Sequence, residues 1–317
     1  ERLRLLKAAG AARPRAAESL PSPAPAEETA PRDTTDTAPR PFRLADGLEG
    51  HLVTTVAGEA FVVEHRYPLT YRHGPLPLAW PLDLPPTVWP LLGRVAPDFD
   101  LRRAAFLDTE TTGLAGGTGT YAFLVGIGFF RGDELVIRQY FLRDYPEEEA
   151  MLTAVAADLA PVACLVTFNG KTYDWPLLET RYRMNRLRPP LGGAPHLDLL
   201  HPARRIWRQR LASCSLQDLE RQIMGETRVG DVAGSQIPAL YFDYLRSGDA
   251  APLAPVLLHN RLDILSLVSL AGWLGHMVAD PLGATPDGEL LCGDDLYQLG
   301  RLFEDRGLLR EAVACYE

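Results

Sequence analysis

The order of apolar segments between residues 104 and 278 constrains the fold most strongly. Three strand-like segments come first: AAFLD (104–108), YAFLVGIGFF (121–130) and ELVIRQYFL (134–142). A helix, a strand, a helix and a strand then alternate, at 147–160, 164–169, 175–187 and 195–200. Further helices are predicted at 215–223, 238–247 and 253–278. Antiparallel strands followed by α/β crossovers predict an α/β fold with a mixed sheet flanked by helices.

The segments before this core have a different composition. Residues 11–41 contain seven prolines and almost no large apolar side chains. We therefore assign residues 1–41 to a disordered or helical tether. Residues 42–100 are predicted to form an N-terminal extension, with a β-hairpin around Gly58 and a Pro-rich part that wraps the surface. The main domain is predicted at residues 101–280.

The C-terminal segment DDLYQLGRLFEDRGLLREAVACYE (294–317) has a pattern of its own. Its small and aromatic residues fall at the offsets of a tetratricopeptide repeat. We predict that residues 290–317 begin tetratricopeptide-like helices, which offer a surface for a protein partner. A partial repeat cannot bury its own apolar face, so the chain either continues or packs these helices on the main domain.

The charge distribution leaves two interpretations open. The formal net charge is −9, which disfavours a nucleic-acid partner for the chain as a whole. Between Arg181 and Arg221, however, nine arginines stand against three acids. This basic segment either attracts phosphate groups, with Trp207 stacking on a single strand, or forms a solvated helix face.

The four cysteines and the hydropathy indicate a location. The cysteines are scattered without a CxxC pair, which argues against a zinc site or a disulfide framework. The first residues lack the apolar core of a signal peptide. No uninterrupted apolar run has the length of a membrane span, so we expect no membrane partner. A cytoplasmic location is the expectation.

Acidic residues follow or interrupt several apolar segments. Asp108 and Glu110 lie two apart at the end of a predicted strand, so their side chains point to the same side. Alone, this pair is typical of a solvated strand end. Asp174 follows another strand, and Asp263 lies in an apolar helix, one turn after His259. Carboxylates without cysteine favour Mg²⁺ or Mn²⁺ over zinc.

These motifs, D-x-E, N-x4-D and H-x3-D, resemble those of the DEDD 3′→5′ exonucleases of the ribonuclease-H-like superfamily. The resemblance covers roughly residues 101–275, and the predicted strand order is similar to ribonuclease-H-like sheets. More narrowly, DTETTGL, FNGKTYDWPLL, HLDLLHPARR and HNRLDILSL resemble the bacterial YprB-like group. That group joins a predicted exonuclease domain to tetratricopeptide repeats.

The resemblance implies a catalytic role for five residues. Asp108, Glu110, Asp174 and Asp263 would hold two Mg²⁺ or Mn²⁺ ions, which activate water and stabilise charge on the cleaved phosphate. His259 would be the general base or would orient the attacking water. It lies four residues before Asp263, the spacing of the branch that uses Tyr, although the residue is that of the His branch.

The neighbouring residues are candidates for substrate binding. Thr111 and Leu114 would meet the terminal nucleotide of single-stranded DNA or RNA, or they form a simple turn. Asn169 and Lys171 would contact phosphate, or they brace the loop. Two other functions stay open: a catalytically weak nucleic-acid-binding scaffold that acts through tetratricopeptide partners, and a structure-selective endonuclease.

Overall fold

The computed structural model describes residues 40–44, 48–113, 118–285 and 288–317. Its strands are β1 (Arg40–Leu44), β2 (Leu48–Thr55), β3 (Gly58–Pro68), β4 (Arg72–His73), β5 (Leu76–Pro77), β6 (Ala104–Thr111), β7 (Ala122–Arg131), β8 (Glu134–Phe141), β9 (Cys164–Thr167) and β10 (His196–Asp198). Its α-helices are α1 (Val88–Leu92), α2 (Glu148–Leu159), α3 (Asp174–Met184), α4 (Leu200–Trp207), α5 (Leu216–Gln222), α6 (Ile237–Ser247), α7 (Ala254–Ala279), α8 (Gly293–Asp305) and α9 (Leu309–Tyr316).

Eight strands form one mixed sheet in the order β1-β2-β3-β8-β7-β6-β9-β10. The pairs from β1 to β6 are antiparallel, whereas β9 pairs in parallel with both β6 and β10. The predicted mixed sheet flanked by helices is therefore confirmed. The N-terminal hairpin of β2 and β3 extends this sheet because β3 pairs with β8. Of the predicted tether, only Arg40 and Pro41, which begin β1, lie within the described residues.

Strand β6 shows why both faces of the sheet are covered. Successive side chains of a strand point to opposite faces. Ala104 and Phe106 belong to a core shared with α1, α4, α5, α7, α8 and α9. Ala105 and Leu107 belong to a second core shared with α2, α3 and α6. The short apolar run is thus the buried centre of a three-layer structure.

Helix α7 is the longest described helix and lies in the core. An 18-residue window within Ala251–Ala279 has a mean hydropathy of 1.5, apolar enough for a membrane span by length and composition alone. In the fold, 83% of that window is buried. The apolar character of α7 is therefore accounted for by packing against the sheet and the surrounding helices.

Two glycines in β7 allow α7 to approach the sheet closely. A Cβ on Gly126 would lie 2.2 Å from Oδ1 of Asn260, and one on Gly128 would lie 2.5 Å from Cγ2 of Ile264. Gly126 is paired in register with Asp108. The absent side chains therefore bring α7 next to the acidic end of β6.

The Pro-rich part of the N-terminal extension packs on the domain that follows, and its Leu76, Leu78 and Trp89 are buried against α7. One boundary predicted from the sequence was wrong. The strand predicted at 195–200 is shorter, and Leu200 already begins α4. Asp198 ends the strand and accepts the backbone N–H of Leu200 at 3.1 Å, which favours this early helix start.

The C-terminal helices pack on the main domain through α4. Leu299, Leu302 and Phe303 of α8 are buried in the first core. Within the α8–α9 hairpin, a Cβ on Gly300 would lie 2.4 Å from the ring of Tyr316. A small residue therefore faces an aromatic one where the two helices meet. The tetratricopeptide assignment of this segment stays a prediction.

Candidate active site

The acidic end of β6 faces α7. Asp108 and Glu110 follow Phe106 on the same face of the strand. The Nδ2 group of Asn260 donates to Oδ2 of Asp108 at 2.8 Å. The Nε2 group of Gln139, on β8, donates to Oδ1 of Asn260 at 2.9 Å. This chain of buried hydrogen bonds fixes the orientation of the Asp108 carboxylate.

Asp174 reaches the same site from a different element. It is the first residue of α3, after the loop that follows β9. The Oγ1 hydroxyl of Thr109 donates to Oδ1 of Asp174 at 2.5 Å. A carboxylate at a helix N-terminus also interacts favourably with the helix dipole. Thr109 thus ties the α3 carboxylate to the strand that carries Asp108 and Glu110.

Helix α7 contributes an imidazole and a carboxylate. The Nε2 atom of His259 lies 3.5 Å from Oδ2 of Asp263 and 3.9 Å from Oε1 of Glu110. One ligand atom of each of these three residues lies within 4.8 Å of the other two. This separation leaves space for one cation between the two carboxylates, with the imidazole beside it.

A loop carboxylate orients His259. The Nδ1 atom of His259 lies 2.7 Å from Oδ1 of Asp231. A carboxylate can only accept a hydrogen bond, so Nδ1 donates to Asp231 and Nε2 faces the acidic cluster. Asp231 itself accepts from Nη1 of Arg228 at 3.1 Å.

Arg228 links this loop to the acidic cluster. Its guanidinium donates to Glu220, at 2.5 and 2.7 Å, and to Asp263. The side chains of Arg228 and Glu220 are only 7% and 1% exposed. The single positive charge of Arg228 therefore offsets part of the charge on three carboxylates, Glu220, Asp231 and Asp263.

The remaining negative charge is concentrated. Burial, with repulsion from Asp263 and Asp174, holds the pKa of Asp108 well above its usual value. Burial and repulsion from Asp108 raise the pKa of Glu110 in the same way. Burial raises the pKa of Asp174 to about 6. Burial also raises the pKa of Asp263, against the opposing effect of Arg228. A divalent cation among these oxygens would relieve the repulsion, so the donor set fits such an ion.

The structure brings five of the predicted site residues together: Asp108, Glu110, Asp174, His259 and Asp263. The predicted substrate-binding residues are more dispersed. Thr111 ends β6, and its Oγ1 donates to the carbonyl of Gly113 at 3.0 Å. Leu114 lies outside the described residues. Lys171 is exposed, and its side chain lines a separate basic cleft.

Asp198 holds the loop that connects β9 to α3. Its carboxylate accepts the backbone N–H groups of Asn169 at 2.7 Å and Lys171 at 3.1 Å. Asn169 has a φ of 65°, a left-handed conformation that Asn tolerates better than most residues. Asn169 therefore shapes the turn that leads to Asp174.

The residues that support the acids were not predicted from the sequence: Thr109, Gln139, Arg228, Asp231 and Asn260. Two local signals were available. Thr109 lies between Asp108 and Glu110, and the Gly-Ile-Gly of β7 is typical of close helix approach. No local pattern relates Arg228 or Asp231 to His259, because about thirty residues of loop and helix separate them.

Comparison with known proteins defines the class. The family model of the RNase_H superfamily matches residues 105–275, more than half of the 317-residue chain. The chain therefore belongs to the RNase H superfamily, a nuclease-like class. Nucleases of this kind typically use divalent metals.

A more specific relative comes from Bacillus subtilis (strain 168). The chain is 36% identical over 212 residues to its uncharacterized protein YprB, a match that covers 65% of the chain and 51% of that protein. The chain thus spans about half the length of this relative. The family B DNA polymerase of the archaeon Pyrobaculum calidifontis matches with a TM-score of 0.44 and 14% identity, over 64% of the chain and 29% of the polymerase. A TM-score this low carries no inference about the present chain.

Proposed function

We propose that this chain is a divalent-metal-dependent 3′→5′ exonuclease that hydrolyses single-stranded nucleic-acid ends. One observation carries the proposal: Asp108, Glu110, Asp174 and Asp263 converge beside His259 from three separate elements. Concentrated carboxylate charge is costly for folding unless a cation neutralises it. Its presence in the fold of a nuclease superfamily supports a catalytic rather than a structural role.

The four carboxylates would hold two Mg²⁺ or Mn²⁺ ions. Carboxylate oxygens are the ligands that these ions prefer, and the described residues place no cysteine at the site. When bound, the pair of ions supplies activation of water and stabilisation of charge on the phosphate. Arg228, which contacts Asp263, balances part of the carboxylate charge.

His259 is proposed as the general base. Its Nε2 lone pair faces the acidic cluster because Nδ1 donates to Asp231. Nε2 accepts a proton from water as the water oxygen bonds to phosphorus, and the bond from phosphorus to the departing 3′ oxygen breaks. The Asp231 carboxylate stabilises the resulting imidazolium.

The residues around the acids suit a single strand. The side chain of Tyr173 is 59% exposed and immediately precedes Asp174. An exposed aromatic ring can stack on the base of an unpaired nucleotide without reading its identity. Thr111 and Leu114 remain proposed contacts to the terminal nucleotide, and Asn169 and Lys171 remain proposed contacts to phosphate.

The test uses the full chain with single-stranded DNA and RNA of one sequence, labelled at the 5′ end. Each is incubated with Mn²⁺, Mg²⁺ or EDTA. The matched variants are Asp108→Asn, in the acidic cluster, and Asp98→Asn, at an exposed aspartate outside it. We expect a ladder that shortens from the 3′ end, is lost with EDTA and with Asp108→Asn, and is kept with Asp98→Asn.

A circular single strand, which has no 3′ end, separates the alternatives. Cleavage of the circle would identify an endonuclease and overturn the exonuclease proposal. Binding without cleavage of any substrate, by a folded protein under every metal, would support the scaffold function instead.

A further inference from the structure

A basic cleft lies beside the loop that leads to Asp174. It has a volume of about 800 Å³ and is lined by seven arginine and lysine side chains but only two aspartates. We call it the α4–α8 cleft. Helix α4 and the residue after it supply Arg204, Arg205 and Arg208, and α8 supplies Arg301. Arg94 and Lys171, which belong to other parts of the chain, also line the cleft.

The two acids do not neutralise this cleft. The carboxylate of Asp198 accepts three backbone N–H groups. Asp305 forms an ion pair with Arg205. Within the part of the chain that the structure describes, Arg94, Arg204 and Arg208 form no ion pair, and all three are exposed.

Local structure does not explain the concentration of cations. Arg204 and Arg208 are four residues apart at the end of α4, a spacing at which like charges repel. Cations at a helix C-terminus complement the helix dipole. That effect accounts for the arginines of α4, but not for Arg94, Lys171 and Arg301, which come from other elements. In a chain of net charge −9, such a cleft is suited to an anionic ligand.

The size and lining of the cleft indicate a polyanion. Its volume is that of a site for a ligand much larger than one phosphate group. Its lining contains no Phe, Tyr or Trp, and Trp207, which the sequence offered for base stacking, is fully buried. The ligand is therefore held by its charges, as a nucleic-acid backbone is, and not by its bases.

The cleft and the acidic cluster share one loop. Lys171 lines the cleft, and Asp174 begins α3 only three residues later. Three residues span at most about 11 Å. A bound strand therefore passes from this loop's cleft side to its acidic side within a few nucleotides.

We propose that the α4–α8 cleft binds the phosphates of the substrate strand a few nucleotides from the end that enters the acidic cluster. The C-terminal helices then form one wall of a nucleic-acid site, through Arg301 of α8. The direction of the strand rests on the proposed exonuclease function, whereas the binding itself does not.

Binding is measured without catalysis. The anisotropy of a labelled single strand of about twenty nucleotides, longer than one such site occupies, is followed in EDTA with the Asp108→Asn protein. Adding Arg204→Ala and Arg208→Ala is expected to weaken binding roughly tenfold. The slope of log K against log salt should fall by about 1.4, because each contact to a single strand contributes about 0.7.

Two further variants make the result decisive. Arg246→Ala with Arg310→Ala removes the same charge from exposed positions outside the cleft and should leave binding unchanged. Arg301→Ala alone tests the α8 wall and should weaken binding while the unfolding temperature stays unchanged. Equal weakening by the cleft and control pairs, or no weakening by the cleft variants, would overturn the proposal. Equally tight binding of a labelled oligoglutamate would indicate an acidic protein ligand and would also overturn it.

The exonuclease proposal can fail separately. If no substrate is cleaved but the cleft variants weaken binding, the cleft assignment stands. If cleavage occurs, strands too short to reach the cleft should be cut at the same rate by the native chain and by cleft variants that keep Asp108. Longer strands should be cut more slowly by the cleft variants. If the native chain and the cleft variants cut long strands at the same rate, the proposed role of the cleft would be refuted.

Discussion

Replacing Asp174 with Asn is expected to stabilise the metal-free protein. The pKa of Asp174 rises from 3.8 to about 6 on folding, and one pKa unit corresponds to about 1.4 kcal/mol. A carboxyl whose pKa is raised costs nothing below its unfolded value of 3.8, and the cost is complete above pH 6. Near neutral pH the ionised side chain therefore opposes folding by about 3 kcal/mol, and a neutral Asn relieves this.

The substitution changes little else. Asn has the same size and keeps the Oδ1 acceptor for the hydroxyl of Thr109. Metal should stabilise the native chain more than the Asp174→Asn variant. A ligand at a hundred times its dissociation constant stabilises a native protein by about 2.7 kcal/mol. The native chain should gain about this much from Mn²⁺, whereas Asp174→Asn should gain little, because it lacks one of the proposed metal-binding carboxylates.

Urea unfolding in EDTA and in Mn²⁺ measures both effects. Asp198→Asn is the matched control, because this buried acid accepts backbone N–H groups on both of its carboxylate oxygens. Asp198→Asn should lower the free energy of unfolding by about 1 kcal/mol, with and without metal. If Asp174→Asn were less stable than the native chain in EDTA near neutral pH, the account of repelling, desolvated carboxylates would be refuted. A control with the same profile as Asp174→Asn would refute it as well.

Three further outcomes are expected. Asp231→Asn should lower kcat about 10- to 100-fold with little change in KM, because His259 loses the carboxylate that fixes its orientation. Gly126→Ala should destabilise the protein by about 1–3 kcal/mol in urea, since its Cβ would collide with Asn260. Burial lowers the pKa of His73 to about 4, so this group costs stability as pH falls from 6.5 towards 4; His73→Gln should flatten that part of the pH–stability profile.

Each of these outcomes has a contrary result. An unchanged kcat for Asp231→Asn would show that the hydrogen bond to His259 is not required. A free energy of unfolding for Gly126→Ala equal to that of the native chain would show that α7 tolerates a wider separation from β7. An equally steep loss of stability between pH 6.5 and 4 with His73→Gln would assign that loss to other groups, among them His65 and His196, whose pKa values burial also lowers to about 4.

The fold was predictable where local periodicity and burial agree. The apolar run of β6 and the helical pattern of α7 each depend on neighbours within a few residues, and both elements lie close to their predicted bounds. The boundary at Leu200 was not predictable in the same way, because HLDLL suits a strand or a helix start. The hydrogen bond from Asp198 to the backbone favours the helix start in the folded chain.

The basic segment shows the limit of reasoning from composition. Arg181, counted in this segment, is buried and paired with Glu148 of α2. Arg210 is paired with Asp295 of α8. Only part of the segment contributes to the α4–α8 cleft, because Arg181 and Arg210 pair with acids in elements distant in sequence.

The sequence by itself determined the mixed sheet, the central helix and the acids that are candidates for metal binding. These follow from hydrophobic periodicity and from the placement of carboxylates at the ends of apolar runs. Only the tertiary structure decided which groups surround the acids: Arg228 on Asp263, Asp231 on His259, and a cleft formed jointly by α4 and α8. The physical reason is that such contacts depend on the packing of elements far apart in the chain, and no local pattern encodes which elements will meet.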